Sequence, residues 1–424
     1  MKKNVLLLLF FSFFLLQQAF PAENIDIPGD GKLSDVNILY VGRWDRSNPN
    51  LYHSYWTGAY LRVDFTGRNI GILLQSGTNL VVSIDGEDLR SINATSGLTR
   101  LNEVELSDGR HSLLVGAAGQ NEELTFLGLS LDEGAVTYRA QGKFLIEYIG
   151  DSITATGGED DQSAANYAWY TAEGLNCDHT QIAFSGLALT TGYGCLEEKI
   201  GLDSLYFCLK NYNHIDERPI QPWDFSYTPN MIVINLGTND KCGSATDAVM
   251  KSSMFNFLSR LRNTYPQTTL VVMEPFNGSY SGPIESAVEK CKTLGDNNIQ
   301  FVKTEGWLTE EDYKDGTHPN LSGRDKIVHN LMPYLKPLLP SDIKNVKKND
   351  LSFSYDINSH KIIVHSLDEI KNILLYNSMG MLVYNNSISS DSCEIDLSGY
   401  MKGYYILRVQ TSNNELVTYK VLKG

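Results

Sequence analysis

Three short segments of this chain carry the side chains of serine acyl-transfer chemistry. Gly150-Asp151-Ser152-Ile153 follows the apolar run Phe144-Leu145-Ile146-Glu147-Tyr148-Ile149, Gly237-Thr238-Asn239-Asp240 ends a second apolar run, and Asp315-Gly316-Thr317-His318-Pro319 precedes an amphipathic stretch. Together they offer a hydroxyl, an amide donor and an imidazole with a carboxylate nearby. In that chemistry Ser152 attacks an acyl carbonyl, His318 takes its proton and returns it to the leaving alcohol, and Asp315 orients the ring. The oxyanion that develops needs fixed donors. The candidates are the backbone N–H groups of Ser152 and Gly186 and the side-chain amide of Asn239.

Positioning these groups requires a sheet. Short apolar runs at Phe144 to Ile149, Gln181 to Phe184, Met231 to Leu236, Leu270 to Met273 and Ile299 to Val302 suit strands covered on both faces. Between them, Met250, Met254, Phe257, Leu258 and Leu261 fall at helical spacing and stop at Tyr265-Pro266, and another helix pattern runs from Leu321 through Ile327, Val328 and Leu331 to Leu335. This alternation predicts a doubly wound parallel sheet over residues 141–340, with ligands beyond the carboxyl ends of its strands. Ser152, Gly186, Asn239 and His318 would converge there.

The flanking segments differ. Residues 23–140 hold short β patterns split by turn signals, at Ala59 to Phe65, Ile70 to Leu74, Leu80 to Ile84, Val104 to Leu106 and Ser112 to Val115, which predict an N-terminal β-sandwich of jelly-roll type. A polar link, 341–350, leads to residues 351–424, where runs such as Lys361 to Val364, Ile373 to Tyr376, Met381 to Tyr384 and Tyr404 to Val409 predict a small C-terminal β-sandwich.

Met1-Lys2-Lys3, an apolar stretch from Val5 to Leu16 and small residues at Ala19 and Ala22 make residues 1–22 a secretory signal peptide. No later segment approaches the ~20 apolar residues of a membrane helix. A net charge of -15 argues against nucleic acid as a partner. The cysteines, Cys177, Cys195, Cys208, Cys242, Cys291 and Cys393, show no C-x-x-C spacing, so disulfides and buried thiols both stay open, with one or two bridges at most. The histidines other than His318, including His53, His111, His179 and His214, read as helix-flanking residues. None has partners at ligand spacing, so neither a metal nor any other cofactor is expected.

Taken in order, Gly150-Asp151-Ser152, Ser185-Gly186, Gly237-Thr238-Asn239-Asp240 and Asp315-Gly316-Thr317-His318 resemble the four blocks of the SGNH, or GDSL, hydrolases. Gly42-Arg43-Trp44-Asp45, Trp56-Thr57-Gly58-Ala59-Tyr60, Phe65-Thr66-Gly67 and Trp223-Asp224-Phe225-Ser226 narrow the likeness to carbohydrate esterase family 2. Together the likeness covers about residues 38 to 338. It implies a jelly roll joined to an SGNH domain and removal of O-acetyl groups from plant-wall polysaccharides such as xylan or glucomannan. Members of that family often place an aromatic residue before the histidine, or hold it through another group; Thr317 stands there instead, and Asp315 is expected to matter less than Ser152 or His318. The tail is similar to type A sorting domains of type IX secretion, through Tyr376-Asn377-Ser378-Met379-Gly380, Ile395-Asp396-Leu397-Ser398, Lys402 to Val409 and Tyr419 to Lys423. That likeness implies export across an outer membrane in Bacteroidota, to the medium or the cell surface, with the secretion machinery as partner.

A lone Gly-Asp-Ser is most often a turn, and Asn239-Asp240 alone would be a capped turn. Asp151 and Asp240 read as braces of their loops. Trp223 reads as core, whereas Trp307 and Tyr193 are candidates to line a sugar or acyl subsite. Beside the acetylesterase stand a lipid esterase or thioesterase on the same scaffold and a surface glycan-binding protein whose hydrolase domain is vestigial. A long acyl pocket would favour the lipid reading.

Overall fold

The computed structural model describes residues 27–156, 163–340, 351–356, 360–377, 381–412 and 416–423; the expected signal peptide and the 341–350 link lie outside the described residues. The chain divides into two compact units between Leu338 and Leu339.

The first unit opens with β1 (Leu39–Val41), β2 (Asp45–Asn48), β3 (Leu51–Ser54), β4 (Tyr60–Thr66), β5 (Ile70–Leu74), β6 (Thr78–Ile84), β7 (Arg90–Ala94), β8 (Gly97–Arg100), β9 (Arg110–Ala117), β10 (Leu124–Leu131) and β11 (Thr137–Tyr138). They form two antiparallel sheets, ordered β1-β4-β9-β6-β7 with β11 beside β4, and β2-β3-β10-β5-β8. Inward residues alternate along the strands, as in Leu61, Val63 and Phe65 of β4, and meet Ile70, Ile72 and Leu74 of β5 in one apolar core. The sequence reading errs at Val104 to Leu106, which is no strand, and Val104 is 78% exposed. Asn102 explains the departure: its Oδ1 accepts the N–H of Ile70 (2.9 Å) and its amide donates to the carbonyls of Arg68 (3.0 Å) and Val104 (2.8 Å), so a side chain replaces the ladder.

The α/β part contains β12 (Leu145–Gly150), α1 (Ser152–Ala155), α2 (Tyr167–Gly174), β13 (Asp178–Ala183), α3 (Leu202–Leu205), β14 (Met231–Asn235), α4 (Thr238–Cys242), α5 (Asp247–Thr264), β15 (Thr269–Met273), α6 (Ser281–Thr293), β16 (Ile299–Val302) and α7 (Leu321–Leu335). The sheet is wholly parallel and ordered β13-β12-β14-β15-β16. Chain order reverses between β12 and its two neighbours, so the crevice at the carboxyl end of β12 is the topological switch point. β14 is buried at every position, and its Ile232 and Ile234 share one apolar core with Met250, Met254 and Phe257 of α5 and Ile284 and Ala287 of α6.

β13 is just as buried yet polar, with Asp178, His179, Thr180 and Gln181 inside. The β-rich part covers it. Arg62 pairs with Asp178 (2.6 Å), the Tyr60 hydroxyl donates to Asp178 (3.3 Å) and accepts the N–H of His179 (3.1 Å), and Gly58 lies so close to Gln181 that a Cβ would sit 2.4 Å from its Oε1. These contacts make the sandwich and the edge of the parallel sheet one packed body.

The second unit is a β-sheet of β17 (Leu351–Asp356), β18 (Lys361–Asn377), β19 (Leu382–Asp396), β20 (Gly403–Thr411) and β21 (Leu416–Lys423). β18 pairs with β19 along most of its length, with β17 over its first half and with β20 over its second. Ile362, Val364, Ile370, Ile373, Leu375, Leu407 and Val409 form its core.

Candidate active site

Ser152 is the first residue of α1, and the turn that presents it is tightly specified. Asp151 caps the helix by accepting the N–H of Ile153 (3.1 Å), and a Cβ on Gly150 would stand 2.1 Å from Thr154 Oγ1, so only glycine fits. The carbonyl of Thr154 receives two side-chain amides, from Asn166 (2.7 Å) and Gln181 (2.7 Å), which pin the turn from both sides. Asn166 also caps α2. That cap was readable as an Asn before a helical pattern; its bond to the Ser152 turn was not.

His318 enters from the loop before α7. Lys314 N–H donates to the carbonyl of His318 (2.9 Å), closing a tight loop in which Gly316 takes φ +79. Inside it, the Asp315 carboxylate accepts the N–H groups of Thr317 (3.0 Å) and His318 (2.8 Å) and lies 2.7 Å from His318 Nδ1. His318 Nε2 lies 2.8 Å from Ser152 Oγ. With the ring proton on Nδ1 facing Asp315, Nε2 is free to accept the serine proton. Partial burial works to raise the Asp315 carboxyl, but the two N–H groups and the ring of His318 outweigh it and hold the group at about 2. The carboxylate is therefore ionised throughout the neutral range.

The Asn239 side chain sits on α4, directly after β14, and its amide donates to the carbonyl of Leu187 (3.1 Å), which ties this segment to the Ser185-Gly186 loop. Asp240 holds the same two segments together by accepting the N–H groups of Leu189 (2.8 Å) and Thr190 (3.0 Å). A third tie is covalent, the disulfide Cys195–Cys242, and Cys177, Cys208, Cys291 and Cys393 are free. Gly186 has φ +83, and a Cβ there would meet Leu196 at 2.7 Å, so the loop demands glycine. Burial, together with the nearby Asp240, raises Asp151 to about 6 despite the Ile153 N–H and His318, and burial raises Asp240 as well.

Beside His318 lies a cavity of about 20 Å³ lined by Ile153, Thr156, Tyr167, His318 and Arg324; Ser152, Gly186 and Asn239 do not line it. Trp307 and Tyr193 are not in that lining. Trp307 packs between Phe276 (6.4 Å) and Tyr334 (6.0 Å), and Tyr193 lies against the hydrophobic core near the disulfide. The expectation that the other histidines flank helices fails for His53, His111 and His179, which lie on β3, β9 and β13. His53 and His214 both contact Glu123, at 2.7 and 2.5 Å, and His179 is buried against Trp169 (4.5 Å), which lowers it to about 3.

A parallel sheet with Ser, His and Asp joined at its switch point defines the frame of a serine acyl hydrolase. Residues 148–326 match the GDSL-like Lipase/Acylhydrolase family, residues 40–139 the Carbohydrate esterase 2 N-terminal family, and residues 356–423 the Secretion system C-terminal sorting domain. The chain therefore carries a GDSL-like hydrolase domain behind a carbohydrate esterase 2 N-terminal domain, and its tail is a type IX sorting domain that marks it for secretion. The cellulase/esterase CelE of Acetivibrio thermocellus is 29% identical over 347 residues, 74% of this chain; the chain spans 41% of that protein's length. A family two carbohydrate esterase from Clostridium thermocellum, solved in complex with cellohexaose, is 27% identical with a TM-score of 0.61, covering 71% of this chain and 98% of its own. An acetyl xylan esterase from the rumen bacterium Butyrivibrio proteoclasticus shares the fold, at 20% identity and a TM-score of 0.60, with 72% and 98% covered. Among the described residues no helix is long and apolar enough to cross a membrane.

Proposed function

We propose that this protein is a secreted carbohydrate O-acetylesterase acting on plant-wall polysaccharide of the xylan or glucomannan type. The observation that carries the reading is the hydrogen-bonded chain Ser152, His318, Asp315 just beyond the carboxyl end of β12. The carbohydrate esterase 2 N-terminal domain and the likeness to a family two carbohydrate esterase solved with cellohexaose support a glycan as the leaving group.

In this mechanism the Ser152 oxygen attacks the acetyl carbonyl while Nε2 of His318 takes its proton, giving a tetrahedral oxyanion held by the N–H groups of Ser152 and Gly186 and the amide of Asn239. The carbonyl re-forms, the C–O bond to the sugar breaks, and His318 protonates the departing hydroxyl. Water then repeats the sequence on the acetyl-enzyme and releases acetate. Trp307 and Tyr193 lie outside the lining of the cavity beside His318. We further propose that residues 23–140 form a jelly roll, that the hydrolase domain spans 141–340, and that 351–424 form a small β-sandwich used for sorting.

A chain-length series tests the acyl pocket. With 4-nitrophenyl acetate, butyrate and octanoate, kcat/KM should fall at least tenfold from acetate to octanoate. Equal or rising values along the series would favour a lipid esterase. Glycan binding with no turnover of any ester would leave a binding protein.

A further inference from the structure

The oxyanion loop does not stand on the hydrolase domain alone. The segment joining β9 to β10 crosses from the β-rich part, and its Gln120 side chain accepts the N–H of Ser185 through Oε1 at 2.7 Å. Ser185 immediately precedes Gly186. Because the N–H of Gly186 belongs to the peptide that Ser185 begins, fixing the Ser185 N–H limits how that peptide can turn.

The segment that carries Gln120 is itself anchored at every following residue. Asn121 accepts from the amide of Asn213 (3.4 Å), and Glu122 accepts from the Thr78 hydroxyl (2.6 Å), the Asn79 N–H (3.1 Å) and the Asn79 amide (2.8 Å). Glu123 lies between His53 (2.7 Å) and His214 (2.5 Å). On the other side, the Phe184 ring packs on Tyr212, with centroids 5.5 Å apart. The Ser185-Gly186 loop is therefore held between an anchored strap of the N-terminal domain and the Tyr212 to His214 turn.

We propose that Gln120 is a positioning residue for the esterase reaction: through its bond to the Ser185 N–H it aims the Gly186 N–H at the oxyanion, so the N-terminal domain completes the catalytic site of the hydrolase domain. The inference rests on the acyl-transfer reading above. Gln120 need not touch the substrate, so its loss should act on turnover more than on binding.

The test compares the parent, Ser152→Ala, Gln120→Met, Gln120→Ala and Gln120→Glu in the full chain with 4-nitrophenyl acetate. Methionine fills the volume of glutamine but accepts poorly, whereas glutamate keeps an oxygen for the Ser185 N–H. Gln120→Met and Gln120→Ala should lower kcat about 10- to 100-fold with KM within about threefold, and Gln120→Glu should recover most of that loss. Phosphonylation of Ser152 by a fluorophosphonate, whose phosphoryl oxygen needs the same donors, should slow in parallel. Variants with kcat and phosphonylation within twofold of the parent, in a parent whose turnover depends on Ser152, would overturn the role of Gln120 alone. A parent with no Ser152-dependent turnover would overturn the esterase reading and this one with it. A loss that falls equally on the Met, Ala and Glu variants together with a lowered Tm would assign Gln120 to folding and also contradict the proposal.

Discussion

His318 has two partners in different surroundings: Ser152 is 9% exposed, while the Asp315 side chain is 48% exposed. Solvent screens the carboxylate, so its hold on the imidazole is weaker than that of a buried partner. Ser152→Ala and His318→Ala should lower kcat by at least ~10³-fold, and Asp315→Asn by about 10- to 100-fold, read from steady-state kinetics on one ester. Asn239→Ala should cost ~10²- to 10³-fold in kcat, the usual loss of one oxyanion donor. Asp151 offers a stability measurement instead. Its folded-state value of about 6 lies above the ordinary 3.8, chiefly because it is buried, and its Oδ2 has no partner among the described residues. A raised carboxyl contributes stability that is complete below pH ~4 and lost as pH rises through about 6, when the buried group ionises. Asp151→Asn should thus match the parent near pH 4 in urea unfolding and exceed it by about 2–3 kcal/mol near pH 7.5.

At the level of elements, the segments after β13 and β14 act as one piece because Cys195–Cys242, Asp240 and Asn239 all cross between them. Closing a loop with a sequence separation of 47 should give the disulfide a contribution of about 2–4 kcal/mol. The double replacement Cys195→Ser with Cys242→Ser should lower Tm and also kcat, because it loosens the donors as well as the fold; an unchanged kcat would show that the hydrogen bonds suffice. The same elements show what could be read in advance. β12, β14 and β15 announce themselves as apolar runs, and α5 by its helical spacing, since these contacts are local or periodic. The start of β13 was missed because Asp178, His179 and Thr180 look like a loop until Arg62 and Tyr60 arrive from over a hundred residues away. β7 (Arg90–Ala94) and β8 (Gly97–Arg100) were missed for a related reason: they carry polar and exposed side chains at the outer ends of their sheets. Ser152, His318 and Asp315 were legible because their blocks are contiguous. Gln120 was not, because nothing near it in sequence shows that Ser185 is its partner.

Across the whole molecule, the proposed active site lies in the first unit, while the sorting domain lies in the second. A chain ending at residue 340 should keep the parent's kcat and KM in solution and lose export when produced in a host with the matching secretion system. Conversely, a hydrolase domain made without residues 27–140 should fail to fold or to turn over, since the β-rich part covers the polar residues of β13 and holds the Ser185 loop. Purified hydrolase domain with full activity would contradict that dependence. The most direct test of the central claim is acetate release from acetylated xylan by the parent and by Ser152→Ala, each shown folded by its Tm. The account predicts steady release by the parent and loss of at least ~10³-fold in the variant. No release by the parent, or equal release by both, would contradict it.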